Sequence, residues 1–160
     1  MEKNEMKIRD YTDPKAVEAI KYLMEWVGED PNREGLLDTP KRFLKAWGND
    51  FFTGYSEDPK KHLERTFEEV GNYDSIIILK DIPFSSYCEH HLVPIIGTAH
   101  IGYIPNNRVA GISKLARVLD GYAKRFQVQE RLTEQVSSAI EEVLQPKAVG
   151  VVINAKHLCI

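Results

Sequence analysis

The first third of the chain repeats apolar residues at helical spacing. One such segment follows Asp13-Pro14, which suits a helix start, and a second begins at Thr39-Pro40. The apolar positions are Ala16, Ile20, Leu23, Met24 and Val27 in the first segment, and Phe43, Leu44, Trp47 and Phe51 in the second. Residues 53–74 are mostly polar and predict irregular structure or a short helix. We therefore expect residues 1–74 to form a mainly helical N-terminal extension.

From residue 75 the pattern becomes that of strands and then of two helices. Ser75–Pro83 and Ile95–Ile104 are short, rich in β-branched residues and bounded by proline, as strands are. Helical spacing returns in 113–126 and again in 130–144, before Pro146. Ala148–Ile160 alternates like a strand, with one face made of Val149, Val151, Ile153, Ala155, His157 and Cys159. This order predicts an α+β domain with antiparallel pairing and a core in 75–160.

Size and charge exclude several classes of function. The chain has 160 residues, which predicts one domain over residues 1–160, and its formal net charge is −3, so the basic surface that non-specific nucleic-acid binding needs is absent. We also expect no membrane contact, because no run of 18 apolar residues exists. The N-terminus lacks the apolar segment of a signal peptide and the chain has only 2 cysteines, so a reducing, cytoplasmic location is predicted.

Both cysteines have histidines close by in the sequence. Cys88 and His91 are separated by a spacing that lets both bind one ion, and Cys159 shares a predicted strand face with His157. Cys88, His91 and Cys159 form a three-ligand set that leaves a position for water, beside His90 and His157, which can carry protons near neutral pH. A four-ligand structural zinc site that includes one of those histidines remains an alternative. A disulfide is a second alternative, which a reducing compartment disfavours.

Two further segments suggest substrate contacts. Ser113 is a suitable helix N-cap, and Lys114 and Arg117 would then lie in the first turn, where the helix dipole disfavours cations unless an anion such as phosphate binds there. Solvated charges are the alternative. Gln129 and Glu130 lie at the junction of the two predicted helices, where an amide and a carboxylate could bind the edge of a purine base. Helix capping by Glu130 is the competing explanation.

Together these segments resemble GTP cyclohydrolase I of the zinc-dependent type. The resemblance covers nearly the whole chain, in Glu29–Pro40, Ser86–His91, Gly102–Pro105, Gly111–Arg117, Gln127–Thr133 and Ala155–Cys159. It implies the tunnelling fold, in which an antiparallel sheet of four strands is backed by two antiparallel helices and preceded by a helical extension. It also implies a homodecamer of two stacked pentamers, with active sites at subunit boundaries.

The resemblance also implies a reaction and a role for each site residue. GTP and water would give formate and 7,8-dihydroneopterin triphosphate, the entry to folate-type pterins. One zinc ion per subunit would be held by Cys88, His91 and Cys159 and would activate the attacking water, while His90 and His157 would transfer protons. The substrate-binding residues would be Glu130 and Gln129 for guanine, Ser113, Lys114 and Arg117 for the triphosphate, and Arg42 and Lys45 of a neighbouring subunit, also for the phosphates.

The chain departs from the family pattern at its end. It stops at Ile160, one residue after Cys159, whereas the family continues with a further strand and another phosphate-binding arginine. We therefore expect the family's last strand to be missing from this chain, and, if nothing follows, weaker zinc retention and little activity. The main alternative function is a non-enzymatic oligomeric interaction module with a structural zinc, and a redox module that joins Cys88 to Cys159 is another. A nucleobase deaminase is excluded because its Pro-Cys-x-x-Cys motif is absent.

Overall fold

The computed structural model describes residues 10–67 and 75–160. The chain divides into two compact units, residues 1–53 and residues 54–160. The prediction of a single domain, with its core in 75–160, is not tested by this division and stays a prediction.

The first unit contains the two helices that the apolar spacing predicts. Helix α1 spans Pro14–Trp26, and the Asp13 side chain caps it by accepting hydrogen bonds from the backbone N–H groups of Lys15 and Ala16. Helix α2 spans Thr39–Ala46, and a π-helical turn, Trp47–Phe51, continues it. The rings of Phe43 and Trp47 stack with centroids 4.6 Å apart, so the predicted apolar face of this segment packs within the unit.

The polar stretch that follows forms short 3₁₀ turns, Thr53–Ser56 and Pro59–Leu63, and a two-residue strand β1, Thr66–Phe67. Strand β1 pairs antiparallel with β4, Val109–Ala110. Short helical turns were expected there, and the rest of that expectation, 68–74, lies outside the described residues.

The second unit is built on a sheet with the strand order β5-β2-β3-β6. Strand β2 spans Ile77–Cys88, β3 Pro94–Ile104, β5 Phe126–Gln127 and β6 Ala148–His157. The three long strands pair antiparallel as predicted. Strand β5 pairs in parallel with the end of β2, because the connection between the helices runs alongside that end, so the sheet is mixed rather than wholly antiparallel. This short β5 was not foreseen from the sequence.

Two helices pack on one face of this sheet. Helix α3 spans Ile112–Ala123 and contacts β2, and α4 spans Gln129–Leu144 and contacts β6. Both helices lie where helical spacing predicts them. Their buried residues join the inward residues of the strands in one core, which comprises Leu63, Ile82, Phe84, Cys88, Ile95, Ala99, Ile101, Tyr103, Ala110, Leu115, Val118, Leu119, Tyr122, Ala123, Leu132, Val136, Ala139, Ile140 and Leu144. Cys88 is part of this core, so the candidate metal site lies at the edge of the core.

The alternation predicted for the last strand is confirmed. Residues at odd positions of β6, from Val149 to His157, are partly buried, and those at even positions are exposed.

No helix in the described segments, 10–67 and 75–160, is long and apolar enough to cross a membrane.

A substitution at Gly97 can test how closely β3 and β6 approach each other. A Cβ atom at Gly97 would lie 2.3 Å from the backbone oxygen of Asn154 and 2.7 Å from Cα of Ala155, whereas one at Gly150 would meet nothing within 4 Å. We expect Gly97→Ala to lower the free energy of unfolding by about 1–3 kcal/mol, because the strands must separate. Gly150→Ala, on the same strand pair, is the matched control and should change it little. Urea unfolding of both variants measures this, and equal stabilities would contradict the close packing.

Candidate metal centre and active site

The β2–β3 hairpin loop carries the first two candidate ligands. Cys88 ends β2, and its backbone N–H donates to Val93 O at 2.9 Å, while Leu92 N–H donates to Cys88 O at 2.9 Å. Leu92 has φ 58°, a left-handed conformation that closes this tight loop. The hydrogen bonds therefore fix the backbone on both sides of His91.

Strand β6 brings the third candidate ligand to the same loop. His157 lies opposite Ile95 in the β3–β6 register, and Leu158 N–H donates to Pro94 O at 3.1 Å. Cys159 is therefore carried past the end of β6 toward the loop. The Sγ atoms of Cys88 and Cys159 and a ring nitrogen of His91 all lie within 4.8 Å of one another.

This donor set fits a zinc ion. Cys88 Sγ lies 3.7 Å from His91 Nδ1. Zinc binds sulfur at about 2.3 Å and nitrogen at about 2.0 Å, so tetrahedral ligands of these two kinds lie about 3.6 Å apart. Both cysteines are free thiols, so the structure contains no disulfide between them. Two thiols and one imidazole could therefore hold such an ion with little rearrangement.

The environment distinguishes the two thiols. The hydrogen bond with His91 is the largest of several effects that lower the pKa of Cys88 from 9.0 to about 6. Burial, and then the neighbouring Cys88, raise the pKa of Cys159. At neutral pH Cys88 is therefore a thiolate, the form that binds metals, without a bound cation.

The two remaining candidate histidines are close in sequence to members of this group. The His90 ring is exposed, with its centroid 6.2 Å from that of His91 and its Nε2 3.8 Å from Glu89 Oε1. His157 Nε2 lies 3.0 Å from Gln129 Oε1. Neither His90 nor His157 joins the ligand group, and within the described residues no fourth histidine, cysteine or carboxylate does so.

Arg131 braces the hairpin loop from helix α4. Its guanidinium forms two hydrogen bonds with Glu89, including Nη2 to Oε1 at 3.0 Å, and lowers the pKa of Glu89. Glu89 N–H also donates to Gln127 O at 3.1 Å. The residue after Cys88 is therefore held by both β5 and α4. This ion pair could not be predicted, because nothing in the sequence links two charged residues so far apart.

Gln129 and Glu130 begin α4 but make different contacts. The Gln129 amide donates from Nε2 to Ile153 O at 3.2 Å, and its Oε1 faces His157. Glu130 is exposed, and its carboxylate forms no hydrogen bond or ion pair with another described residue. Of these two side chains, Glu130 is the one without a hydrogen bond or ion pair to another described residue, and the predicted guanine contact of Gln129 stays a prediction.

The predicted anion site lies at the start of α3, with two differences in detail. The helix begins at Ile112 after an extended Gly111, and no side chain caps it, so the prediction of Ser113 as the N-cap is wrong. Because the helix starts one residue before Ser113, Arg117 lies in its second turn rather than its first. Ser113, Lys114 and Arg117 still share one face by helical spacing, and their side chains have no partner among residues 10–67 and 75–160.

Arg42 and Lys45 lie one turn apart on α2, in the first unit. Both are exposed, and Arg42 Nη2 lies 3.4 Å from Asp38 Oδ2. Their proposed contact with phosphates stays a prediction.

Comparison with known proteins identifies the family. The α+β architecture is consistent with the tunnelling fold. The family model described as GTP cyclohydrolase I matches residues 16–160. The protein named GTP cyclohydrolase 1 from Sinorhizobium fredii is 54% identical over 148 residues, which cover 92% of this chain and 72% of that protein. The chain therefore belongs to the GTP cyclohydrolase I family.

Two further relatives with the same name agree. The protein from Pelagibacter ubique is 54% identical over 92% of this chain and 73% of its own length. That from Brucella suis is 53% identical over 91% of this chain and 68% of its own length. The crystal structure of an archaeosine synthase QueF-Like in the apo form matches 54% of this chain and 85% of that chain, with a TM-score of 0.49 and 21% identity.

Breaking the ion pair between Arg131 and Glu89 tests whether Arg131 supports the hairpin loop. Arg131→Leu should weaken zinc affinity by about 10-fold, because the loop that carries Cys88 and His91 loses its support. The matched control is Lys60→Leu, which breaks the ion pair with Glu142 near the other end of α4. Competition with a chromophoric chelator measures the affinity. Equal zinc affinity in the Arg131 variant and the unaltered protein would contradict the role of the brace.

The difference between the thiols predicts a pH dependence in metal-free protein. Because the pKa of Cys88 is lowered to about 6, its thiolate should be retained down to that pH and lost below it, whereas Cys159 should remain a thiol well into the alkaline range. Ultraviolet thiolate absorbance during a titration measures both steps. Cys88→Ser should remove the acidic step and Cys159→Ser the alkaline one; the reverse assignment would contradict the predicted roles.

Proposed function

We propose that this chain converts GTP and water into formate and 7,8-dihydroneopterin triphosphate, the first step toward folate-type pterins. The observation that carries the proposal is the convergence of Cys88, His91 and Cys159, with His157 two residues before the last of them, in a member of the GTP cyclohydrolase I family. A ring-opening hydrolysis needs an activated water and groups that move protons, and this cluster could provide both.

Zinc is the metal that we propose for this centre, one ion per subunit, held by Cys88, His91 and Cys159. The support is the donor set, since two thiolates and an imidazole are typical zinc ligands, and the 3.7 Å separation of the Cys88 and His91 donor atoms. When bound, zinc supplies Lewis acidity, which allows water to act as a nucleophile near neutral pH.

His90 and His157 are the proposed proton carriers. Release of C8 as formate breaks two C–N bonds of the purine five-membered ring, and the nitrogens that are left must gain protons. Both imidazoles lie close to the ligand group in sequence but outside it, so neither would be consumed by metal binding. Each could therefore donate and accept protons during turnover.

GTP would be bound at both of its ends. The exposed carboxylate of Glu130 can accept hydrogen bonds from N1–H and the amino group of guanine. Ser113, Lys114 and Arg117 offer a hydroxyl and two cations near a helix N-terminus, which suits the triphosphate. Arg42 and Lys45 of a neighbouring subunit would add two further cations.

An oligomer fits this arrangement. Strand β6 forms one edge of the sheet and pairs only with β3 in the described part of the chain. Pairing of this edge with a neighbouring subunit would satisfy its backbone groups. We propose a homodecamer of two stacked pentamers, with sites at subunit boundaries. The cytoplasmic location predicted from the sequence remains part of this proposal.

The alternative, an oligomeric interaction module with a structural zinc, requires four protein ligands and no turnover. It is less well supported, because the ligand group among the described residues has three members.

Incubation of zinc-loaded protein with GTP tests the proposed reaction. We expect formate and a pterin chromophore in equal amounts. His157→Ala should keep zinc but lower kcat by about 10²–10⁴-fold, since a proton carrier is lost, and Cys159→Ala should lose zinc and turnover together.

Zinc content, formate and pterin absorbance are measured on each variant. His62→Ala is the matched control, because His62 lies beside Glu57 and away from the ligand group in sequence. Absence of formate from zinc-loaded protein would overturn the proposed reaction, and loss of zinc from His157→Ala would mean that His157 is a ligand.

A further inference from the structure

The Gln129 side chain bridges β6 and a proposed proton carrier. Its Nε2 donates to Ile153 O at 3.2 Å and its Oε1 lies 3.0 Å from His157 Nε2. Both contacts reach the same strand, four residues apart, from the first residue of α4. The side chain therefore spans the segment of β6 that leads to the metal centre.

The contact with Ile153 fixes the orientation of the amide. A backbone carbonyl can only accept a hydrogen bond, so the amide nitrogen must face Ile153. The amide oxygen then faces His157, and an oxygen can only accept. His157 Nε2 must therefore carry the hydrogen, which leaves the lone pair of a neutral ring on Nδ1. The reversed amide would place two oxygens against each other at Ile153.

The backbone of Gln129 is itself held in place. Gln129 begins α4 after an extended Val128, and its carbonyl accepts a hydrogen bond from Thr133 Oγ1 at 2.8 Å. Helix α4 packs against β6 through the core. The bridge is thus anchored in regular structure at both ends, as a group that orients another side chain must be.

This geometry gives Gln129 and its neighbour Glu130 different roles. Successive helix residues point about 100° apart, so the two side chains face different surroundings. Gln129 reaches back to β6, whereas Glu130 is exposed and has no partner among the described residues. A carboxylate is also the better acceptor for the paired donors of guanine.

We propose that Gln129 is a positioning residue for His157, which it holds in the Nε2–H tautomer with one ring orientation, so that Nδ1 is the nitrogen that exchanges protons. This inference rests on the proposed function for the identity of the reaction. The bond between Gln129 and His157 is a property of the fold and can be measured without turnover. Loss of the bridge should therefore reduce kcat while leaving KM for GTP nearly unchanged.

The first experiment observes the tautomer directly. Zinc-loaded protein with ¹⁵N-labelled histidine rings is studied by solid-state NMR at one mildly alkaline pH, and the His157 signals are assigned by their loss in His157→Ala. We expect the hydrogen on Nε2 in the unaltered protein. Gln129→Met, which keeps the length of the side chain and removes both hydrogen bonds, should give a mixture of the two tautomers. A hydrogen on Nδ1 in the unaltered protein would overturn the proposal.

The second experiment separates positioning from guanine binding. Gln129→Met should lower kcat by about 10-fold or more, as removal of outer hydrogen-bond partners commonly does, with zinc content and KM preserved. Gln145→Met, at the far end of α4, is the matched control and should change neither. A raised KM with unchanged kcat and tautomer would show instead that Gln129 binds guanine, and the proposal would be wrong.

The outcomes also separate this inference from the proposed reaction. If the unaltered protein forms no formate but shows the Nε2–H tautomer, and Gln129→Met gives a mixture of the two tautomers, the positioning role stands and the reaction is wrong. If formate is produced and the tautomer does not depend on Gln129, the reaction stands and the positioning role is wrong.

Discussion

The hydrogen-bond register between β3 and β6 is the constraint on which the candidate site depends. It sets His157 opposite Ile95, and Leu158 continues the contact with Pro94. A shift by one residue would turn His157 and Cys159 to the other face of the sheet. The alternation of partly buried and exposed residues along β6 opposes such a shift, because it would expose the apolar side. The core therefore positions the candidate metal ligands through strand register.

The two thiols show why a cation suits this site. They lie close together, and two thiolates at that distance repel each other. The hydrogen bond with His91 lowers the pKa of Cys88, whereas burial and the charge of Cys88 raise the pKa of Cys159. A divalent cation would relieve this opposition, because both sulfurs could then be deprotonated together.

Local patterns in the sequence were sufficient for most of the fold. Helical spacing located α1, α3 and α4, and alternation in 148–157 identified the buried face of β6. The pairing of Cys88 with His91 was also visible, because both lie in one short loop. These features depend on residues close together in the chain, where spacing alone carries the information.

Features that depend on distant residues could not be predicted. The Glu89–Arg131 ion pair and the Gln129–His157 contact each join two elements that meet only after folding. The parallel pairing of β5 follows from the path of a connection rather than from composition. Helix α3 begins two residues earlier than its capping pattern predicted, because the extended Gly111 precedes the helix without a side-chain cap.

The placement of Cys88 in the inner hairpin and of Cys159 beyond the outer strand has a consequence for the unfolded chain. An ion held by both would be a cross-link that encloses about seventy residues, comparable in loop length to a long-range disulfide. This cross-link would restrict the conformations of the denatured chain. It would also couple the packing of β6 against β3 to binding of the ion. Withdrawal of the ion should then release the outer strand first, while the hairpin, closed by its own local hydrogen bonds, persists.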